Sequence, residues 1–220
     1  MAIIISDGTW RQFLVHTQRK SELEICDFVY TMNKVKGGDL VEVLIPYLLR
    51  TKDDPRPVVL MTSGIAGAGK STLSKAVISK LPSFTRLSID GYVHSKYGLY
   101  AIDYPREKYA EYLAEAQKAM RQQLREIIGA KDGGDVVLDS TLAFKEDRDD
   151  WARVVREGGG RRVLVYLDAK KEILWKRIQE RQAIERNADS AFEMTEAILD
   201  SYLRGFEVPR GEGEVVLRIT

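Results

Sequence analysis

The stretch SGIAGAGKST, Ser63 to Thr72, decides the fold of this chain of 220 residues. Residues 64–71 fit the pattern G-x-x-x-x-G-K-[ST] at every fixed position. Glycines let consecutive backbone N–H groups turn inward around an anion, and a helix predicted from Lys70 points its positive end at the same place. The pattern therefore predicts a phosphate cradle, with a purely structural glycine turn as the simpler alternative.

The cradle also predicts how a nucleotide and its metal are held. Lys70 can reach the β- and γ-phosphates, and the hydroxyl of Ser71 can ligate Mg²⁺. ATP and Mg²⁺ are therefore the expected cofactors. The nucleotide-binding candidates in the loop are Gly64, Ile65, Ala66, Gly67, Ala68, Gly69, Lys70, Ser71 and Thr72.

Strand and helix patterns alternate on from the cradle to the end of the sequence. Apolar, β-branched runs predict strands at 57–63, 84–90, 135–141, 161–168 and 214–220. Helical patterns fall at 70–80, 104–128, 146–157, from about 170, and at 195–204. This alternation is typical of an α/β fold, here a doubly wound, mostly parallel five-stranded sheet with helices on both faces.

The charged, proline-containing stretch TKDDPRP at 51–57 predicts a boundary between two segments. Residues 1–54 form an N-terminal extension that we expect to be mainly helical, with helices at 19–34 and 39–50 and a hairpin at Asp7-Gly8. Residues 55–220 form the main domain. The extension is expected either to contact a partner or to cover a sheet edge.

Composition narrows the range of partners and compartments. With 34 basic and 33 acidic residues, the chain offers no overall charge that would attract nucleic acid or a membrane. Its single cysteine, Cys26, rules out an intramolecular disulfide and fits a reducing compartment. The apolar start lacks the cationic segment of a signal peptide, and no run approaches the ~18 apolar residues of a membrane span. We therefore expect a cytoplasmic protein.

Other patterns separate the classes of protein that use such a cradle. A GTPase would carry N-K-x-D after the cradle, whereas the only Asn-Lys pair, Asn33-Lys34, precedes it. A remodelling ATPase usually ends a buried strand with Asp-Glu, and here Asp139 is followed by Ser140. These differences favour a compact phosphotransferase.

Four motifs together resemble the zeta-toxin and polynucleotide-kinase-like P-loop kinases over about residues 57–220. The motifs are GIAGAGKST at 64–72, Ile89-Asp90-Gly91, VVLDST at 136–141 and WKRIQERQAIER at 175–186. The resemblance implies a Mg-ATP-dependent kinase that transfers the γ-phosphate to a hydroxyl of a small-molecule or nucleotide-like acceptor. It does not name the acceptor, because substrates in this group range from nucleic-acid ends to sugar acids.

The resemblance and the strand-end positions assign two carboxylates. Asp90 ends the second strand and is expected to be the general base that takes the proton of the acceptor hydroxyl. A capping role at the turn of Gly91 is the alternative. Asp139 ends the third strand and is expected to hold Mg²⁺ together with Ser71, with the acceptor as its alternative partner.

The resemblance also implies an arginine-rich lid at about 177–194. Arg177 and Arg181 lie four residues apart on one helical face, with Arg186 beyond. Arg177 is assigned to the nucleotide, and Arg181 and Arg186 to the transferring phosphoryl group; a solvated charged helix is the alternative. Arg148 is assigned to catalysis because related kinases place a basic residue nearby against the acceptor. Tyrosines within 91–104 lie on the expected acceptor side.

Two other functions stay open at this stage. One is an ATP-gated binding or regulatory module with slow ATPase activity, in which Trp10, Phe13 and Phe28 of the extension anchor a partner. The other is a nucleic-acid 5′-end kinase, which would need a basic channel that the balanced composition does not indicate. Nucleic acid is thus a possible partner that we do not favour.

Overall fold

The structure is a computed structural model that describes residues 15–16, 28–32, 37–184 and 194–219. Its strands are β1 (Val15–His16), β2 (Phe28–Met32), β3 (Val58–Ser63), β4 (Phe84–Ser88), β5 (Asp135–Asp139), β6 (Arg161–Ala169) and β7 (Glu214–Ile219). Its α-helices are α1 (Gly37–Leu48), α2 (Lys70–Lys80), α3 (Ile89–Tyr97), α4 (Tyr109–Gly129), α5 (Lys145–Glu157), α6 (Lys171–Gln182) and α7 (Glu196–Gly205). A short 3₁₀ helix, Arg106–Lys108, precedes α4.

All seven strands form one sheet in the order β1-β2-β7-β6-β3-β5-β4. The five strands from β7 to β4 are parallel, which confirms the predicted doubly wound sheet. The register places Met61 of β3 opposite Leu138 of β5 and Leu164 of β6. Strand β2 extends the parallel sheet beside β7, and β1 pairs antiparallel with β2.

Strand β3 lies in the middle of the core, and all six of its residues are buried. Side chains of a strand alternate between the two faces of a sheet. Val58 and Leu60 pack on the face covered by α1, α2 and α6, and Val59 and Met61 pack on the face covered by α4 and α5. Apolar side chains are therefore required on both faces, and residues 58–61 provide them, while the buried hydroxyls of Thr62 and Ser63 donate hydrogen bonds to backbone carbonyl oxygens.

The order of the strands places a crevice at the end of β3. The connection from β3 leads through α2 to β4 on one side of β3, whereas the connection from β5 leads through α5 to β6 on the other side, and ligands bind at such a switch point. The loop that leaves this point is the glycine-rich segment. In the described part of the chain, none of the helices combines the length and apolarity needed to cross a membrane.

The structure corrects the sequence prediction in two places. Residues 28–32, assigned to a helix at 19–34, form strand β2, because pairing with β7 completes the hydrogen bonds of the β-favouring residues Phe28, Val29 and Tyr30. Residues 89–97 form helix α3, which had not been predicted. The hairpin at Asp7-Gly8 and the rest of the 19–34 helix lie outside the described residues.

Helix α1 packs into the same core as the sheet, although it precedes the predicted boundary at residue 54. Leu44 and Leu48 are fully buried in the cluster that contains Val58 and Leu73. Within the extension, α1 is helical as predicted, whereas β1 and β2 are strands. The division at residue 54 stays a prediction, and cutting there would remove apolar side chains from the core.

Leu44→Ala is expected to lower the free energy of unfolding by about 2–5 kcal/mol, because the truncation leaves a cavity under α1. Leu49, just beyond the helix and 49% exposed, provides a matched control. Leu49→Ala should change the free energy of unfolding by less than about 0.5 kcal/mol. Chemical denaturation of the three proteins measures both effects. Equally small losses would show that α1 contributes nothing to the core.

Candidate active site

The glycine-rich loop opens into a cleft of about 1310 Å³ at the carboxyl edge of the sheet. The cleft is lined by residues 65–72 of the predicted cradle and by side chains from α3, β5 and α6, whereas Gly64 is not among the residues that line it. The structure thus brings together four charged groups that the sequence predicted for one site, Lys70, Asp90, Asp139 and Arg181.

Two glycines of the cradle occupy backbone conformations that favour glycine. Gly67 has φ +84° and Gly69, which caps α2, has φ +105°. A Cβ at Gly67 would lie 2.8 Å from the carbonyl oxygen of Leu174 in α6. The loop can therefore pass this close to α6 only with glycine at position 67.

Lys70 is partly buried at the base of the cleft. Its Nζ donates hydrogen bonds to the carbonyl oxygens of Gly64, at 2.8 Å, and Ile65, at 3.2 Å. Removal from water lowers the pKa of Lys70 to about 8; the charges of Asp139 and Asp90 oppose this shift, and that of Arg181 adds to it. The negative charge of a bound phosphate would stabilise the charged form of Lys70, which removal from water disfavours.

The affinity for ATP is expected to fall as the pH rises through about 8. Below this value Lys70 is already charged, and above it binding must first take up a proton. Phosphates raise the pKa of the bound lysine, so each further pH unit should cost up to about tenfold in affinity. Calorimetric titration across this range measures the slope. Lys70→Arg, which stays charged, should bind with a flat profile, and a flat profile in the unaltered protein would contradict the argument.

Asp139 ends β5 and is buried at the edge of the cleft. Arg86 of β4 donates to its Oδ2 from Nε, at 2.9 Å, and from a terminal nitrogen, at 2.5 Å. Asp139 and Ser71 both line the cleft, and such oxygen ligands fit Mg²⁺. The residues that the structure describes include no group of three or more His, Cys, Asp or Glu able to hold a metal. A metal there would draw its other ligands from nucleotide phosphates and water.

Asp90 lies in the first turn of α3, exposed to the cleft. The capping role considered for it belongs to Ser88, whose Oγ accepts a hydrogen bond of 3.1 Å from the backbone nitrogen of Gly91. Burial raises the pKa of Tyr109 and the charge of Asp90 adds to this shift, while the same charge opposes the lowering of the pKa of Lys70. Asp90 is therefore close to both the cradle lysine and a tyrosine of the cleft, where a general base would act.

Helix α6 presents two of the predicted arginines to the cradle. The guanidinium of Arg177 lies 3.4 Å from the carbonyl oxygens of Gly67 and Ala68, and Arg181, one turn later, lines the cleft. The helix is fixed by its buried side chains Leu174 and Ile178. Arg186 and half of the predicted lid, residues 185–193, lie outside the described residues.

Arg148 is not brought to the cleft, contrary to the sequence prediction. It is 1% exposed and pairs with the carboxylate of Glu212 through bonds of 2.9 and 2.8 Å. A third bond of 3.0 Å reaches the carbonyl oxygen of Leu142. Because its donors are directed at these groups, Arg148 braces the loop after β5 and does not face an acceptor.

Sequence reasoning missed one wall of the cleft. Tyr202 of α7, Phe206 just after that helix and Phe144 in the loop after β5 line the same cleft as Tyr104 and Tyr109. The apolar pattern at 195–204 predicts the helix but carries no signal for where it docks. The pairing of Arg86 with Asp139 likewise depends on the neighbouring strands and was not predicted.

The fold and the cradle define a P-loop nucleotide-binding protein. Residues 59–209 match the sequence family described as AAA domain, and the chain belongs to that family. The resemblance to the zeta-toxin and polynucleotide-kinase-like P-loop kinases is thereby confirmed. No curated protein matches the chain significantly in sequence.

Several solved structures share the fold at low sequence identity. A candidate kinase from Chloroflexus aurantiacus is 21% identical with a TM-score of 0.59, over 74% of this chain and 87% of that one. Kti12 from Chaetomium thermophilum, in complex with ADP-AlF3, is 16% identical with a TM-score of 0.54, over 74% and 88%. A chain of the Pnkp1/Rnl/Hen1 RNA repair complex is 18% identical with a TM-score of 0.55; the match covers 68% of this chain but only 44% of that one.

Proposed function

We propose that this protein is a Mg-ATP-dependent kinase that transfers the γ-phosphate of ATP to a hydroxyl of a small-molecule or nucleotide-like acceptor. The observation that carries the proposal is the arrangement of the cleft. Lys70, Arg181 and the carboxylate of Asp90 line one cleft, and the uncharged side chains of Tyr104 and Tyr109 line the same cleft. Phosphoryl transfer needs this combination of anion holder, base and acceptor space.

Each group has a chemical task in the proposed reaction. The cradle and Lys70 hold the β- and γ-phosphates, and Arg181 adds positive charge where the transferring group passes. Asp90 takes the proton of the acceptor hydroxyl as its oxygen bonds to the γ-phosphorus and ADP leaves. Ser71 and Asp139 are the residues that would hold Mg²⁺, whose charge would offset that of the phosphates.

The comparisons support this proposal only at the level of the fold. The Chloroflexus aurantiacus protein is described as a candidate kinase, and the Kti12 structure contains ADP-AlF3. The ATP-gated module gains no support from α1, because this part of the extension is packed into the core. Deleting residues 1–54 would therefore remove part of the core, and a loss of partner binding could then reflect a loss of folding.

Incubation with γ-labelled ATP and a panel of hydroxyl acceptors tests the proposed function. We expect label to move to an acceptor faster than it appears as free phosphate. Free phosphate with no labelled acceptor, across a panel of neutral and anionic compounds, would contradict the kinase and favour a slow ATPase.

A further inference from the structure

The acceptor side of the cleft contains five aromatic side chains, which we call the aromatic slot. The slot consists of Tyr104, Tyr109, Phe144, Tyr202 and Phe206. They come from three separate parts of the fold, namely the segment from Tyr104 to the start of α4, the loop after β5, and helix α7 with the residue that follows it. Val93 and Leu113 line the same side and add apolar surface.

One wall of the slot is built by packed tyrosines. The ring of Tyr100 lies edge-on to Tyr104, with centroids 6.1 Å apart, and to Tyr109, with centroids 5.3 Å apart. Tyr104 in turn lies edge-on to Tyr112 at 5.1 Å. These contacts fix the wall without a ligand, because each ring is held by others in a favourable geometry.

The other wall presents half-exposed rings. Tyr202 and Phe144 are 49% and 50% exposed although both line the cleft. Tyr202 lines the same cleft as Tyr109. Burial raises the pKa of the Tyr109 phenol, and the neighbouring Asp90, Tyr104 and Tyr202 add to this shift. Large apolar side chains left exposed in a cleft mark surface that a ligand can cover.

Helix α7 is tied to the loop that carries Phe144. The backbone nitrogen of Glu207, just after α7, donates to the carbonyl oxygen of Ala143 at 3.0 Å. The carboxylate of Glu207 accepts a hydrogen bond of 2.7 Å from the backbone nitrogen of Lys145. The second wall is therefore also held in place by the fold.

The charges of the cleft are divided between its two sides. In the described ranges, the lysines and arginines that line the cleft are Lys70, Lys75, Arg177 and Arg181, all on α2 or α6. The carboxylate of Asp90 lines the same cleft as the slot, and His94 lies one turn later on α3. An anionic acceptor placed in the slot would meet the negative charge of Asp90, which disfavours it.

We infer that the acceptor is a neutral small molecule that carries an aromatic ring as well as the reacting hydroxyl, an inference that rests on the proposed kinase function. The ring occupies the aromatic slot between Tyr109 and Tyr202. The hydroxyl reaches Asp90, its oxygen bonds to the γ-phosphorus, its proton passes to the carboxylate, and the bond between the γ-phosphorus and the leaving ADP oxygen breaks.

Three matched glycosides test this inference by binding alone. The protein is saturated with a non-hydrolysable ATP analogue, and the affinities of phenyl glucoside, methyl glucoside and phenyl glucuronide are measured by calorimetry. Phenyl glucoside should bind about tenfold more tightly than methyl glucoside, which lacks the ring, because aromatic contacts are worth about this much. It should also bind about tenfold more tightly than the anionic glucuronide.

Variants of α7 test whether the preference for phenyl glucoside over methyl glucoside depends on the aromatic slot. Tyr202→Ala should remove the preference for phenyl over methyl glucoside, whereas Tyr202→Phe should keep it. Ile198→Ala, an exposed position of the same helix that does not line the cleft, is the matched control and should change neither affinity.

Tighter binding of the glucuronide, equal binding of all three compounds, or no binding of phenyl glucoside below about 1 mM would overturn the inference. The binding experiment involves no phosphoryl transfer. Selective binding of the phenyl glucoside combined with no transfer to any acceptor would therefore leave the slot in place and refute the proposed kinase activity.

Discussion

Lys70→Ala is expected to weaken ATP binding by about 10- to 100-fold, which corresponds to the loss of a charge-assisted hydrogen bond worth about 1.5–3 kcal/mol. Turnover should fall by a further factor of about 10²–10³, as when one preorganised donor to a developing charge is removed. The reason is positional, because Lys70 Nζ already lies at the mouth of the cradle, bonded to two of its carbonyl oxygens. Calorimetry with ATP and steady-state kinetics measure the two effects.

The variant should nevertheless remain folded. At pH values below about 8 Lys70 is charged in the folded protein, and because removal from water lowers its pKa, this charge destabilises the folded state. Deleting the charge should therefore leave the melting temperature without ATP unchanged or higher. Lys80→Ala, at the far end of the same helix, is the control and should keep both ATP affinity and turnover. Normal ATP binding by Lys70→Ala would refute the cradle.

Much of the fold follows from sequence because local and global signals agree. The β-branched runs that become β3, β5, β6 and β7 have no competing helical pattern, and the glycine loop fixes where β3 ends and α2 begins. Strand β2 was missed because its structure depends on pairing with β7, which lies more than 180 residues later. Helix α3 was missed because its capping residue, Ser88, is also the last residue of a strand.

The residues of the candidate site also fall into those that the sequence could place and those that it could not. Lys70, Asp90 and Asp139 could be placed together because parallel strands bring their carboxyl ends to one edge of the sheet. Arg148 could not be placed, since its partner Glu212 lies 64 residues away and no local pattern signals the pair. The position of Tyr202 depends on where α7 docks, so the aromatic slot became visible only in three dimensions.

The proposed role of Asp90 as general base predicts a variant that loses turnover but keeps its affinity for ATP. Asp90→Asn should lower turnover by about 10²–10⁴-fold, the usual contribution of a general base, while ATP binds normally or slightly more tightly. The substitution preserves the shape of the side chain and removes one negative charge near the phosphates. The helix should stay intact, because its cap is provided by Ser88. Rapid-mix measurement of a single turnover, alongside ATP titration, separates the two quantities.

Variants of two other carboxylates in the cleft show whether Asp90 acts as a general base or only as a negative charge near the phosphates. Glu180→Gln removes the same charge from the α6 side of the cleft and should leave turnover within about threefold, since a uniform electrostatic effect is small in a solvated site. Asp139→Asn should raise the Mg²⁺ concentration needed for half-maximal activity, which Asp90→Asn should not do. If Asp90→Asn turned over at the normal rate, the acceptor proton would have to leave by another route. The carboxylate of Asp90 would then only balance the charges of Lys70 and Arg181.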